Sequence, residues 1–250
     1  MTPRDLVCAI AALSVAAMAS AAPPAAGGPQ TGGRGTITGH VKLSGKLPGN
    51  PVIRVGRDPM CAKINAGKRV IQETVVANLN GDLANVFVKL LWSFPKTTAP
   101  TTPVVIDQKG CVYLPRVVGV QVGQTLQVRN SDALLHNVHG MSSIKANGFN
   151  VGQPIAGITT EFKLQEEAPM VRLRCDVHSW MTAFIGVVNH PYFAVSGQMG
   201  TFEIRNVPAG SYDIQAWHER YGPVTQKIRV RPGATTSVEF AYTGDEKPPA

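Results

Sequence analysis

From residue 36 onward the chain is punctuated every few residues by Gly, Pro or Asn. Between these marks lie short runs in which apolar and polar residues alternate: "TITGHVKL", "VFVKLLW", "VVGVQV", "TLQVRN", "MVRLRC", "FIGVV", "TFEIRNV", "SYDIQAW", "QKIRV" and "TSVEFAY". Alternation with a period of two places successive side chains on opposite faces of a strand, and no stretch carries a convincing helical period. A chain written this way folds as all-β, and its 250 residues can bury two modest cores. Two β-sandwich domains are the expected architecture.

The N-terminus departs from this pattern. Residues 1–21 join a basic start, the apolar run "LVCAIAALSVAAMA" and a small-residue end, the layout of a secretory signal peptide. Residues 22–35, with "PPAAGGPQTGGRG", read as a Pro/Gly linker that buries nothing. No later segment is apolar for long enough to span a bilayer, so the expected localisation is periplasmic or secreted. Residues 36–95 read as an N-terminal β segment, 104–190 and 191–243 as two β units, and 244–250 as a tail.

Export bears on the cysteines. Without Cys8 the chain keeps Cys61, Cys111 and Cys175, an odd number for a compartment that favours disulfides. Pairing Cys61 with Cys111 leaves Cys175 as a free thiol, which calls for burial or a metal. The net charge of +8 comes from Lys and Arg scattered along the strands. That distribution suits solubility or a weak acidic protein partner, whereas nucleic acid would call for a continuous basic stripe.

Cys175 lies in "RLRCDVHSWM", where Cys175, His178 and Met181 are spaced three apart. Alternation sends Val171, Leu173 and Cys175 to one face and Arg172 and Arg174 to the other, so the sulfur should face the core with its apolar neighbours. "NSDALLHNVHG" supplies His136 just after the strand "TLQVRN". Two imidazoles, a thiolate and a thioether form a soft donor set that favours copper, and a methionine is an unlikely zinc ligand. His139 is out of phase with His136 and Val138. His190 and His218 sit beside aromatics, and Met60, Met141, Met170 and Met199 form no cluster. None of these reads as a ligand. Trp180, inside the ligand loop, has two readings, a core residue or, favoured by its place in that loop, part of an apolar docking patch.

"HNVH" at 136–139 and "CDVHSWM" at 175–181 resemble the cupredoxins, and the short Cys-x-x-His-x-x-Met loop is most similar to the amicyanin type. "YLPRVVGVQVGQTLQVRNSD" and "MTAFIGVV" resemble the strands flanking that family's ligands. The resemblance implies a Greek-key β-sandwich over about 104–190 that binds one copper ion through His136, Cys175, His178 and Met181. It implies that Asn137 hydrogen-bonds across to the cysteine loop. It also implies a one-electron carrier with His178 as its exposed edge and a redox partner protein. Val177 and Ser179 stand where amicyanin-type loops carry prolines, which bears on redox tuning. The alternatives are a periplasmic copper-binding or delivery protein, or a structural two-sandwich module without metal. No catalytic residues are expected. "GTFEIRNVPAGSYDIQAWH" and "GTITGHVKLSG" resemble the carboxypeptidase regulatory-like, transthyretin-type sandwich, with a Pro-Ala-Gly turn between two strands. That likeness allows the 104–190 unit to be inserted in a module built from 36–95 and 191–243, with a tandem order as the alternative.

Overall fold

The computed structural model describes residues 28–246. The signal peptide and the first part of the linker lie outside these residues. Fifteen strands make up nearly all of the regular structure, as the alternation implies.

The strands fall into three sheets. One is built from β1 (Pro29–Leu43), β2 (Phe87–Leu91), β12 (Phe193–Val195), β13 (Thr201–His218), β14 (Gly222–Val230) and β15 (Thr235–Tyr242). Its order is β12-β2-β13-β1-β15, with β14 on the far half of β13. A second sheet has the order β5-β11-β10-β7-β8, from Val117–Gln121, Thr182–Val188, Ala168–Arg174, His136–Met141 and Phe149–Gln153. A third has the order β4-β3-β6-β9, from Tyr113–Leu114, Val104–Gln108, Thr125–Asn130 and Thr159–Lys163. The first sheet thus draws its strands from both ends of the described chain, and the other two lie between them in sequence.

The second and third sheets share one core. Ile106, Leu126, Val128, Val138, Val171, Leu173, Ile185 and Cys175 all meet there, each fully buried. Burying a Val, Leu or Ile side chain is worth about 1.5–3 kcal/mol, so this layer firmly sets the register of β7 and β10. The first sheet has its own core, which includes Ile37, Leu83, Tyr212, Phe240 and Tyr242. A third cluster joins the two, because β5 and β11 bury both faces. Phe87, Val117 and Val188 pack there with Phe184, Phe193 and Trp217. Gly119 and Gly186 face each other across β5 and β11, and the rings of Phe193 and Phe87 occupy the space a Cβ would need. Arg116 and Glu219 form a nearly buried ion pair across the same junction.

Two expectations fail. The sequence pattern extends the linker to residue 35, yet β1 begins at Pro29, and Gly35 is buried against Arg231 and Ala234. The glycines permit the close backbone approach that makes these residues part of a sheet. The Pro-Ala-Gly stretch is not a reversal between two strands either, since 201–218 is one strand. A bulge absorbs the irregularity. The pairing with β1 shifts between Gly35↔Val207 and Ile37↔Ile204, and Asn206 takes a φ of 57°. Pro208 keeps its place in the ladder opposite Arg34.

Candidate metal centre

Strands β6 and β7, and the end of β10, bring the site together. At the end of β6, Asn130 accepts from the Asp132 amide at 3.0 Å and donates to the Leu134 carbonyl at 2.9 Å, which shapes the turn entering β7. Along β7, His136, Val138 and Gly140 point inward, and Asn137 and His139 are only partly buried. Cys175 follows β10 on the face shared by Val171 and Leu173, and the next residues turn so that the Met181 amide donates to the His178 carbonyl at 2.9 Å.

Three of the four candidate ligands converge. Donor atoms of His136, Cys175 and His178 all lie within 4.8 Å of one another, and all three residues are buried. His136 Nδ1 is 3.1 Å from His178 Nδ1, and Cys175 Sγ is 3.8 Å from His178 Nδ1. The amides of Asn137 and His178 both point at Cys175 Sγ, at 3.3 and 3.4 Å. Met181 is fully buried in the same core cluster as Cys175. Cys61 and Cys111 are joined by a disulfide of 2.06 Å, and Cys175 is free.

Asn137 links the two ligand segments. Its Oδ1 accepts from the Asp176 amide at 3.1 Å, and Tyr113 Oη donates to the carbonyls of Asn137 and Arg174 at 2.7 and 3.2 Å. His139 turns outward and pairs with Asp176 at 3.0 Å. His190 bonds the Leu90 carbonyl and the Tyr192 amide, and His218 accepts from the Arg220 amide. Neither belongs to a cluster of donors among the described residues.

The far nitrogens of both imidazoles are held by carboxylates that sequence reasoning missed. His136 Nε2 lies 3.0 Å from Asp132 Oδ2, and His178 Nε2 lies 3.3 Å from Asp58 Oδ2. Each carboxylate also accepts a half-cystine amide: Cys111 N donates to Asp132 at 2.7 Å and Cys61 N to Asp58 at 2.9 Å. Gly110 N adds a third donor to Asp132 at 2.8 Å. Asp58 caps a six-residue helix, α1 (Pro59–Ile64), with Pro59 at its first turn. The Asp-Pro pair marks a helix start in the sequence, but nothing local says that this helix lies against His178.

This cover corrects one expectation. His178 is not an exposed edge; it is 1% exposed, because Asp58 and the Cys61–Cys111 bridge lie over its outer nitrogen. Cys61 Sγ is 3.6 Å from that atom. Trp180 is half-buried with its indole donating to the Cys111 carbonyl at 3.0 Å, so it braces the bridge as much as it faces solvent.

The proton balance follows from the packing. Burial alone would lower His136, but the hydrogen bond to Asp132 and the neighbouring Cys175 sulfur outweigh it and raise its pKa to about 9. Burial lowers His178, with the adjacent His136 charge adding to the effect and Asp58 opposing it. Burial would raise the Cys175 thiol, yet His136 and the two amides hold it below its usual value. Asp132 is likewise held low, its donors overcoming burial. These directions assign the tautomers: both Nε2–H groups donate to carboxylates, and His136 Nδ1–H donates to the Nδ1 lone pair of His178. A single proton therefore bridges two nitrogens beside a thiol whose ionisation the surrounding donors ease. A soft cation in its place would meet two imidazole nitrogens and the Cys175 sulfur, a donor set that fits copper.

No family model matches the sequence, and no curated protein matches it. Among solved structures the chain is similar to a copper-containing nitrite reductase from Thermus scotoductus SA-01, at 18% identity over 41% of this chain and 26% of that one, with a TM-score of 0.33. This chain therefore spans about a quarter of that enzyme's length. It is also similar to a purple cupredoxin from Nitrosopumilus maritimus, at 21% identity over 34% of this chain and 98% of that one, with a TM-score of 0.29. A Cu(I) amicyanin variant aligns at 18% identity over 40% of this chain and 97% of that one, with a TM-score of 0.30. These are partial backbone likenesses to cupredoxin-type proteins. The functional reading rests on the residues of this chain.

Proposed function

We propose that this is an exported protein that binds one copper ion through His136, Cys175 and His178, with Met181 as a weak fourth ligand, and carries single electrons. The observation that carries the reading is the convergence of two Nδ1 atoms and the Cys175 sulfur in a buried pocket, with both outer nitrogens on carboxylates. Bound there, copper would supply a one-electron couple. The chain's own part is to hold the donors still. Asp132 and Asp58 fix the rings and raise their basicity, while Asn137 N and His178 N stabilise the thiolate. Asn137 and Tyr113 clamp the two ligand segments together. Small rearrangement on changing oxidation state is what a carrier needs.

The buried His178 favours a carrier over a delivery protein, because release would require the cover to move. Segment 54–69 over that histidine carries five exposed cations, Arg54, Arg57, Lys63, Lys68 and Arg69, and its one acid, Asp58, is committed to His178. An acidic redox partner would meet this face. No helix among the described residues is long and apolar enough to cross a membrane. For the six-stranded sheet we keep the carboxypeptidase regulatory-like reading, as a non-enzymatic scaffold for the metal-binding unit.

The test is to titrate Cu(II) into the purified protein and record the visible spectrum beside that of Cys175→Ser. The expected result is one equivalent bound, with an intense thiolate-to-copper band absent from the variant. Uptake with no such band, or a band that survives in the variant, overturns the proposal.

A further inference from the structure

The cover over His178 consists of metal-binding groups held closed by one covalent bond. Asp58, Cys61 and His178 offer donor atoms within 4.8 Å of one another, and so do Cys111, Asp132 and His136. Each cysteine thus belongs to a group with one of the two imidazoles, on the side away from Cys175. While the disulfide stands, its sulfurs are bonded to each other and carry no charge to offer a cation.

Reduction changes their chemistry. A dithiol gives two electrons to the S–S bond and becomes a disulfide itself, the Cys61–Cys111 bond breaks, and two protons complete two thiols. A soft cation then displaces those two protons and the His178 Nε2 proton to solvent, as the proton on His136 Nδ1 passes to His178 Nδ1, and finds two thiolates beside a free imidazole nitrogen, a set that selects Cu(I). The spacing suits the Cys61–His178 edge, and Cys111 Sγ, released from its bond to Cys61, completes the set by turning from its neighbours Asp132 and His136 toward His178. A metal at about 2.3 Å from sulfur and about 2.0 Å from nitrogen in tetrahedral geometry separates its donors by ~3.5 Å. Cys61 Sγ and His178 Nε2 already lie 3.6 Å apart.

We propose that reduction of the Cys61–Cys111 disulfide creates a second, thiolate-rich Cu(I) site formed by Cys61, Cys111 and His178 Nε2, on the outer side of the imidazole whose Nδ1 faces Cys175. Pro59, Met60 and Lys63 of α1 are exposed and Cys61 is buried beneath them, so an ion entering through this helix meets the outer set before the inner one. Exchange with an incoming disulfide, which takes the two electrons and leaves as a dithiol, re-forms the Cys61–Cys111 bond, removes the outer ligands and restores the closed cover. The proposal rests on the copper reading above for its purpose, but the site can be tested without the inner one.

The experiment uses Cys175→Ser, oxidised or reduced with a trialkylphosphine, with free thiols counted and circular dichroism recorded. Cu(I) is titrated anaerobically against a coloured Cu(I) chelator, at a concentration where the oxidised variant retains less than about a tenth of an equivalent. The expected result is two new thiols, an unchanged fold and close to one equivalent of Cu(I) retained by the reduced variant. Adding Cys61→Ser and Cys111→Ser should return retention to the oxidised level. Equal retention in the two redox states, retention that survives the added serines, or a disulfide that yields only on unfolding overturns the proposal. A missing thiolate band in oxidised wild-type protein would instead sink the inner copper site, so the two failures are distinguishable.

Discussion

Asp132 accepts three hydrogen bonds in a nearly solvent-free position, from Gly110 N, Cys111 N and His136 Nε2. Replacing it with Asn keeps the shape but leaves one acceptor oxygen. If that oxygen takes the place of Oδ2, it still serves Cys111 and His136, but the new amide group meets the Gly110 N–H as donor against donor. Leaving one buried donor unpaired costs about 1–3 kcal/mol. Asp132→Ala strands all three donors and removes the counter-charge of His136, a loss of about 3–5 kcal/mol by comparison with broken buried pairs. Urea unfolding of the metal-free, disulfide-intact protein reads this directly. With a slope of about 2–3 kcal/mol per molar, the midpoint of Asp132→Asn should fall by about 0.3–1.5 M and that of Asp132→Ala by more. The same substitution weakens the grip on the outer nitrogen of His136, so copper affinity in a chelator competition should drop by about 10–100-fold. An Asp132→Asn protein with wild-type midpoint and wild-type affinity would refute the reasoning, because the carboxylate would then neither hold the turn nor orient the ring.

Asp58 should separate the two effects. Its side chain is partly exposed and caps only a short helix, so Asp58→Ala should cost about 1 kcal/mol in urea while copper exchange into a chelator speeds up at least 10-fold. His218 makes the stability acid-sensitive. Burial, with the cations Arg116 and Arg220, pushes its pKa down to about 4. The unfolded chain therefore takes up the proton first, near pH 6.5. Its contribution is complete above that pH and falls on acidification by about 3 kcal/mol by pH 4. A pH series of urea midpoints should flatten over that window in His218→Phe, and an unchanged slope would contradict the assignment. Gly186→Ala drives a Cβ into the Phe87 ring and should cost about 1–3 kcal/mol while leaving the Cys175-dependent band in place. Loss of the band in that variant would show that the sheet junction and the metal centre are coupled.

Period-two alternation was the readable part of the fold, since it reports only a strand's two faces. It turned Val171, Leu173 and Cys175 inward and His139 away from His136, as the burial pattern along β7 and β10 shows. It could not show that 201–218 runs unbroken. A proline and a glycine usually signal a turn, and here pairing with β1 on one half and with β2 and β14 on the other holds the strand straight through them. Nor could it show that residues 29–35 join a sheet, since their glycines have no side-chain pattern to read.

At the candidate centre the division is similar. Residue chemistry and spacing in the sequence already single out His136, Cys175, His178 and Met181, and cysteine parity already suggests the Cys61–Cys111 pair. Only the tertiary structure brings Asp58 to His178, 120 positions away, and buries that ring under α1, and only there do the Gly110 and Cys111 amides hold the local Asp132–His136 pair from a segment some twenty residues upstream. Local sequence sets which way a side chain points. What it meets there depends on which distant segments the cores and the cross-link bring together.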